Sequence, residues 1–183
     1  MDVDTVIRGR RSIRRFQARG VPHELLVDAL QAAIHAPSAK NGQQWRFTVL
    51  TGDAKQRFTA FFRATLDRQR EQGGDQAVGS ALHSCRCMEE APVNIVVWNT
   101  SEQQWETESH SVAAAIQNFL LKAYSVGLGT LWIGDIFHAE TETIAYFKKP
   151  WQLIAVLAVG WPDEDPPPRS RKPVAEVAEF LDS

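Results

Sequence analysis

Arg10-Arg11-Ser12-Ile13-Arg14-Arg15-Phe16 places four arginines and a hydroxyl within seven residues of a 183-residue chain that carries only 20 Lys+Arg against 22 Asp+Glu. A basic knot on a nearly neutral protein points to a local anion site rather than a general affinity for polyanions. Arginine presents a planar fork of donors that suits phosphate oxygens, and Ser12 adds a hydroxyl to the same oxygens. A solvated, charged helix end is the competing reading, and the stretch alone does not choose between them. Near the other terminus lies a second basic stretch, Pro168-Arg169-Ser170-Arg171-Lys172-Pro173. In an extended segment Arg169 and Arg171 share a face and form a clamp for an anion. Read alone, that stretch is more simply a solvated tail.

Composition bounds what the chain does. A length of 183 residues fits one domain spanning 1–183, and 44% hydrophobic residues permit a real core. A net charge of −2 argues against nucleic acid as the main partner. The first 20 residues are charged and lack an apolar run, so no signal peptide is expected, and no run of 18 apolar residues spans a membrane. A cytoplasmic location follows as the expectation. Cys85 and Cys87 are too close for an ordinary structural disulfide and match no zinc spacing. Free thiols on or under a helix are expected there, with a vicinal redox pair as the alternative. The five histidines are scattered without metal spacing.

Periodicity orders the elements. Leu25, Leu26, Ala29, Leu30, Ala33 and Ile34 give a helix with one buried face, stopped at Ala36-Pro37 because the residue before proline is driven out of helical backbone. A polar loop, Ser38 to Gln44, precedes an alternating strand from Trp45 to Thr51. A charged amphipathic helix is predicted over 53–71, broken at Gly73-Gly74, and another helix over 80–90. Pro92 to Trp98 reads as a short apolar strand at the centre of a sheet. Ser111 to Val126 is the most apolar helix, buried on several sides or at a subunit interface, and Gly127 caps it. Leu128 to Ile133 reads as a glycine-punctuated strand or extended loop, 139–147 as a short helix and Leu153 to Gly160 as a buried strand. Asp163 to Pro168 is an acidic, proline-rich turn that could carry an arm over a partner surface. Interspersed strands and helices place the chain in the α+β or α/β class with a mixed sheet.

Two further stretches carry chemistry. Loops such as Pro37–Gln44, with Ser38, Asn41, Gln43 and Gln44, supply hydrogen bonds to ligands from a rigid scaffold, although an ordinary helix-to-strand turn has the same composition. The glycines of Gly127-Leu128-Gly129-Thr130-Leu131-Trp132-Ile133-Gly134 look like a dinucleotide loop. That order is wrong, because the run follows a helix whereas a dinucleotide loop follows a strand and opens a helix. Backbone lying close against a flat ligand, or glycines at bulges of a strand, are the two readings that remain. No hydrolytic triad and no carboxylate pair stand out. A bound cofactor therefore supplies the reactivity.

Together, in order and over nearly the whole chain, Arg10–Phe16, Ala36–Trp45, Gly127–Gly134 and Arg169–Pro173 resemble the FMN-dependent nitroreductase family. Gln44 is a departure, where that family commonly has proline before the tryptophan. The resemblance implies an α+β, three-layer fold: a central mixed, mainly antiparallel β-sheet flanked by helices, in an intertwined homodimer with FMN at the interface. It implies that Arg10, Ser12, Arg169 and Arg171 hold the phosphate and ribityl chain, with Arg11 flanking and Arg14 at the pyrimidine edge. Pro37, Ser38, Ala39 and Asn41 would come from the other subunit. Leu131, Trp132, Ile133 and Gly134 would lie along the isoalloxazine. The implied activity is ping-pong, two-electron reduction of nitroaromatic, quinone or similar flat acceptors, with NAD(P)H as co-substrate and no catalytic side chain. A flavin store or sensor with little turnover, a same-fold reductive dehalogenase and a flavin-fragmenting enzyme are the alternatives. The last two usually carry a lid, for which 64–80 is the candidate; a plain surface helix is the preferred reading of that segment.

Overall fold

A computed structural model describes residues 1–103 and 105–181. Four strands, β1 (Trp45–Thr51), β2 (Val93–Asn99), β3 (Gly129–Ile133) and β4 (Gln152–Gly160), form one sheet in the order β1-β2-β4-β3. β2 is central, as its apolar run of Val93, Ile95, Val96 and Val97 predicts, and every one of its residues is buried, Asn94 and Asn99 included. Each strand pair is antiparallel, and the parallel component is a single bridge, Ser12 to Thr130, at the free edge of β3. The helices are α1 (Val3–Gly9), α2 (His23–Ile34), α3 (Gly52–Gly73), α4 (Asp75–Val78), α5 (Ala81–Glu90), α6 (Glu106–Ser125), α7 (Glu140–Phe147) and α8 (Val174–Val177).

Alternation along the strands splits the core into two layers. Val93, Ile95 and Val97 of β2 face α2 and α6, where Leu26, Ala29, Val112, Ile116 and Phe119 are buried. Val96 and Trp98 face the other side, packed with Phe58, Phe62 and Leu66 of α3 and with Cys85 and Met88 of α5. The register of β4 steps from Val97↔Ala155 to Trp98↔Leu153, so Ile154 is extra. That bulge turns Leu153 to the α3/α5 side while Ala155 stays on the α2/α6 side. The result is the three-layer arrangement expected, with helices on both faces of the sheet.

Several ends differ from the sequence reading. α6 starts at Glu106, not Ser111, because Glu108 Oε2 accepts the Trp105 N–H at 2.9 Å and seeds the helix before its apolar periodicity begins. The helix expected over 139–147 is α7, preceded by a 3₁₀ turn over Asp135–Ala139. α1 escaped the periodicity because Val6 is its one buried residue; Asp2 caps it, accepting the Thr5 N–H at 3.0 Å. Segment 64–80 is the end of α3 together with α4, tied down by buried Thr65, Leu66 and Val78 and by Gln69 Nε2 donating to the His138 carbonyl at 2.6 Å. It is a packed surface helix, the preferred reading. Cys85 and Cys87 are both free and buried in α5. None of the described helices is long and apolar enough to cross a membrane.

Candidate functional site

The Arg10–Phe16 segment is built onto the free edge of the sheet. α1 ends where Arg10 turns to extended backbone, and Ile13 N–H then bonds the Thr130 carbonyl at 2.9 Å. Ile13 and Phe16 go into the core, whereas Arg15 is exposed and Arg10, Arg11, Ser12 and Arg14 are half-buried. Glu164, just past β4, locks the segment: Oε1 accepts the N–H of Arg14 and, at 3.2 Å, the N–H of Arg15. Asp163 N–H bonds the Arg15 carbonyl at 3.0 Å, and Gln17 N–H bonds the Trp161 carbonyl at 2.9 Å. The chain then returns through Pro166 and Pro167, and Arg169 and Arg171 come to lie beside the N-terminal motif. Together Arg10, Arg11, Ser12, Arg14, Arg169 and Arg171 line one cavity of about 180 Å³.

That cavity is electropositive and uncompensated. Among the described residues, no carboxylate forms an ion pair with Arg10, Arg11, Arg14, Arg169 or Arg171. Burial, and then the charges of Arg171 and Arg11, hold Arg10 below the usual arginine range. Cations forced together in a concave site are a receptor for a compact anion. The arginines are not equivalent, however. Arg11 Nη1 donates to the carbonyls of Arg8 (2.6 Å), Gly9 (3.0 Å) and Arg10 (3.0 Å), which caps α1. Arg171 Nη1 donates to the Arg169 and Ser170 carbonyls, and Arg14 Nη1 reaches the Ser12 carbonyl at 3.4 Å. The Arg10 and Arg169 guanidinium groups donate no hydrogen bond among the described residues, and Arg10 donates only its backbone N–H, to the Val6 carbonyl at 3.0 Å.

β3 meets the same segment and accounts for most of its glycines without a ligand. A Cβ on Gly129 would come within 2.9 Å of Ile13, so Gly129 is what lets the arginine segment approach the sheet. Gly127, at φ +85°, terminates α6. Of the three glycines in the Gly127–Gly134 run, Gly134 is the one at which an added Cβ would meet nothing within 4 Å among the described residues. The Leu131 and Ile133 side chains belong to the core, whereas Trp132 is 39% exposed. Since Thr130 turns its carbonyl to Ile13, the alternation of a strand edge turns the Trp132 N–H and C=O outward as well.

The Pro37–Gln44 loop lies elsewhere on the chain. Lys40, Asn41 and Gln43 all have left-handed backbone (φ 52°, 53° and 48°), a conformation seldom held by non-glycine residues without tertiary support. That support is visible. Ser38 Oγ accepts the Gln43 N–H (3.1 Å), the Ser38 and Ala39 carbonyls accept from Asn41 and Gly42, and Ser111 Oγ of α6 accepts the Ala39 N–H at 3.0 Å. Gln44 takes part through its carbonyl, which accepts both N–H and Oγ1 of Thr100. A proline would offer the same carbonyl, so the departure at Gln44 leaves these bonds in place. Pro37, Ser38 and Ala39 line a groove with Thr107, His110 and Ser111, and no residue of that groove lines the arginine cavity. Within one chain, then, the structure unites Arg10, Arg11, Ser12, Arg14, Arg169 and Arg171, sets β3 against them, and keeps the 37–41 loop apart. Sequence reasoning missed Glu164 and Ser111, the two anchors; Ser111 shows in the sequence only as a polar residue opening the most apolar helix.

Comparison with known proteins follows the same pattern. Residues 7–161 match the model of the nitroreductase family. The chain is 46% identical to a chloronitrobenzene nitroreductase of Comamonas testosteroni, over 88% of this chain and 87% of that one. It is 43% identical to a 4-nitrobenzoate reductase of a Nocardioides species, over 97% and 89%. A structure from Desulfovibrio desulfuricans, solved in complex with FMN, superposes with a TM-score of 0.80 at 27% identity, covering 100% of this chain and 98% of the other.

Proposed function

Because this chain belongs to the nitroreductase family, we propose that it passes two electrons from NAD(P)H to nitroaromatic, quinone or similar flat acceptors, through FMN held between two copies of the chain. It is an FMN-dependent NAD(P)H oxidoreductase; the acceptors, the residues and the two-chain site are what the proposal adds. The observation that carries it is the meeting of Arg10, Ser12 and Arg14 with Arg169 and Arg171 in one uncompensated cavity. Arg169 and Arg171 lie outside residues 7–161 that match the family model, so their place in the site rests on this geometry and on the resemblance of the Arg169–Pro173 stretch.

The cavity fits a phosphate, whose charge of about −2 at pH 7 requires several cations once it leaves water. Arg10 and Arg169 take the phosphate oxygens, Ser12 adds its hydroxyl, and Arg171 neutralises from the side. Arg11 acts mainly by holding the end of α1. Arg14 reaches toward the pyrimidine edge. Trp132 and Gly134 offer outward backbone beside a flat ring, while Leu131 and Ile133 fix that backbone by filling the core behind it. Pro37, Ser38, Ala39 and Asn41 of the second copy close the other side. Bound FMN supplies hydride chemistry, and no side chain is given a bond-forming role.

The deciding measurement is the absorbance spectrum of the purified protein before and after anaerobic NADH or NADPH. Flavin bands that bleach with the donor and return with a nitroaromatic or quinone are the expected result. Bands that stay unbleached favour a flavin store or sensor. A colourless protein that FMN does not reconstitute overturns the reading.

A further inference from the structure

Thr107, His110, Ser111 and Ala114 stand at positions i, i+3, i+4 and i+7 of α6 and so form one stripe. Across a groove of about 350 Å³ that stripe faces Pro37, Ser38 and Ala39. Ser111 is committed inside the protein, accepting the Ala39 N–H and donating to the Thr107 carbonyl at 2.8 Å. His110 is exposed, and its ring makes no hydrogen bond among the described residues. No carboxylate lines the groove. Glu108 is buried and turned back onto the Trp105 N–H, which leaves Glu106 as the outward acidic group of that turn. Lys40, next to Ala39, stands with Nζ 5.2 Å above the Trp105 ring centre. The groove therefore offers an imidazole without a hydrogen-bond partner among the described residues and no carboxylate in its lining, with Glu106 one turn before His110 as the nearest outward acidic position on the helix; its apolar sides come from Pro37 and Ala114, and the amino end of α6 adds its own positive field.

We propose that this groove receives the electron acceptor, that it selects aromatic acceptors bearing an anionic oxygen substituent, and that His110 is the residue that reads the substituent. The inference rests on the functional reading above, since Ser38 and Ala39, which line the groove, are also the residues that reading sets against the flavin. An aromatic ring lies between Pro37 and Ala114, and the His110 imidazole donates to the substituent, with Lys40 as the nearby cation.

The test uses the FMN-loaded protein reduced anaerobically with NAD(P)H, with 4-nitrobenzoate compared against its neutral analogue 4-nitrobenzamide. The wild-type protein is expected to favour the carboxylate in kcat/KM. In His110→Ala the benzoate-to-benzamide ratio falls about tenfold, the loss expected for one hydrogen bond to a charged group, and it falls mainly through KM. His110→Arg restores the ratio. Should His110→Ala fail to fold, His110→Asp retains a polar side chain and depresses the ratio further. Bleaching by NAD(P)H with no preference between the two acceptors, or a ratio unmoved by these variants, overturns the acceptor assignment alone. Failure of the wild-type flavin to bleach overturns the oxidoreductase reading and this inference with it.

Discussion

Neighbouring arginines in the Arg10–Phe16 motif do different physical work. Arg10 is half-buried and pressed against like charges, so its free energy improves when an anion arrives. Arg11 already spends its guanidinium on the carbonyls that end α1. Arg10→Ala and Arg171→Ala are therefore expected to weaken FMN binding by about tenfold or more each, at roughly 1.5–3 kcal/mol per charged hydrogen bond, read by flavin fluorescence titration. Arg11→Ala instead lowers the melting temperature, by about 2–6 °C for a loss of roughly 1–2 kcal/mol in a chain of this size, and weakens FMN less than Arg10→Ala does. Unchanged FMN affinity in both Arg10→Ala and Arg171→Ala would remove the phosphate from this cavity. Cys85 behaves oppositely to a reactive thiol. Burial, reinforced by Glu89 and opposed by Arg63, pushes its pKa up to about 12. An unfolded thiol ionises near 9.0, so the native state loses stability as pH rises above that value, because only the unfolded thiol releases its proton there. Iodoacetamide at pH 8 should leave Cys85 unmodified in the native protein and label it after denaturation, as mass spectrometry would report; rapid labelling of the folded protein would contradict its burial.

At the scale of elements, the site depends on how closely the arginine segment approaches β3. Gly129→Ala puts a methyl group against Ile13, and overpacking of this kind typically costs about 1–3 kcal/mol. The variant should lose both thermal stability and FMN affinity, although residue 129 has no part in the proposed flavin contacts, because the bridge between Ser12 and Thr130 must yield. Equal FMN affinity in wild type and Gly129→Ala would show that the segment is not held by this contact. The elements themselves were largely legible from the sequence. Alternation marked β1, the apolar Ile95–Trp98 run marked β2 as central, and Gly73-Gly74 and Gly127 marked helix ends. What stayed hidden has local causes. α1 buries a single side chain, and the first turn of α6 is polar, so neither displays the periodicity that a sequence reading needs. The glycines of β3 suggested a flat ligand, but Gly129 answers to Ile13, more than a hundred residues away in sequence.

For the whole molecule, the separation of the two lined surfaces is the governing fact. The arginine cavity and the groove beside Ser38 share no residue, and the proposed flavin site takes the second of them from another copy of the chain. The C-terminal segment argues the same way: Val174, Val177, Phe180 and Leu181 are each about two-thirds exposed or more, apolar surface that a lone chain leaves in water. Light scattering is expected to return a dimer that retains FMN, and truncation after Pro168, which removes Arg169 and Arg171 together with that segment, should abolish retention. A monomer that holds FMN would contradict the two-chain site. The sequence by itself determined the four strands, the longer helices, the central position of β2 and the family, because these are written in local periodicity and in short motifs whose residues are neighbours. Only the tertiary structure decided which arginines cap a helix and which do not, that Glu164 anchors the arginine segment and Ser111 the 37–44 loop, and that Arg169 and Arg171 line one cavity with Arg10. Those facts depend on where distant segments come to rest in space, and burial, charge neutralisation and hydrogen-bond satisfaction are settled there rather than along the chain.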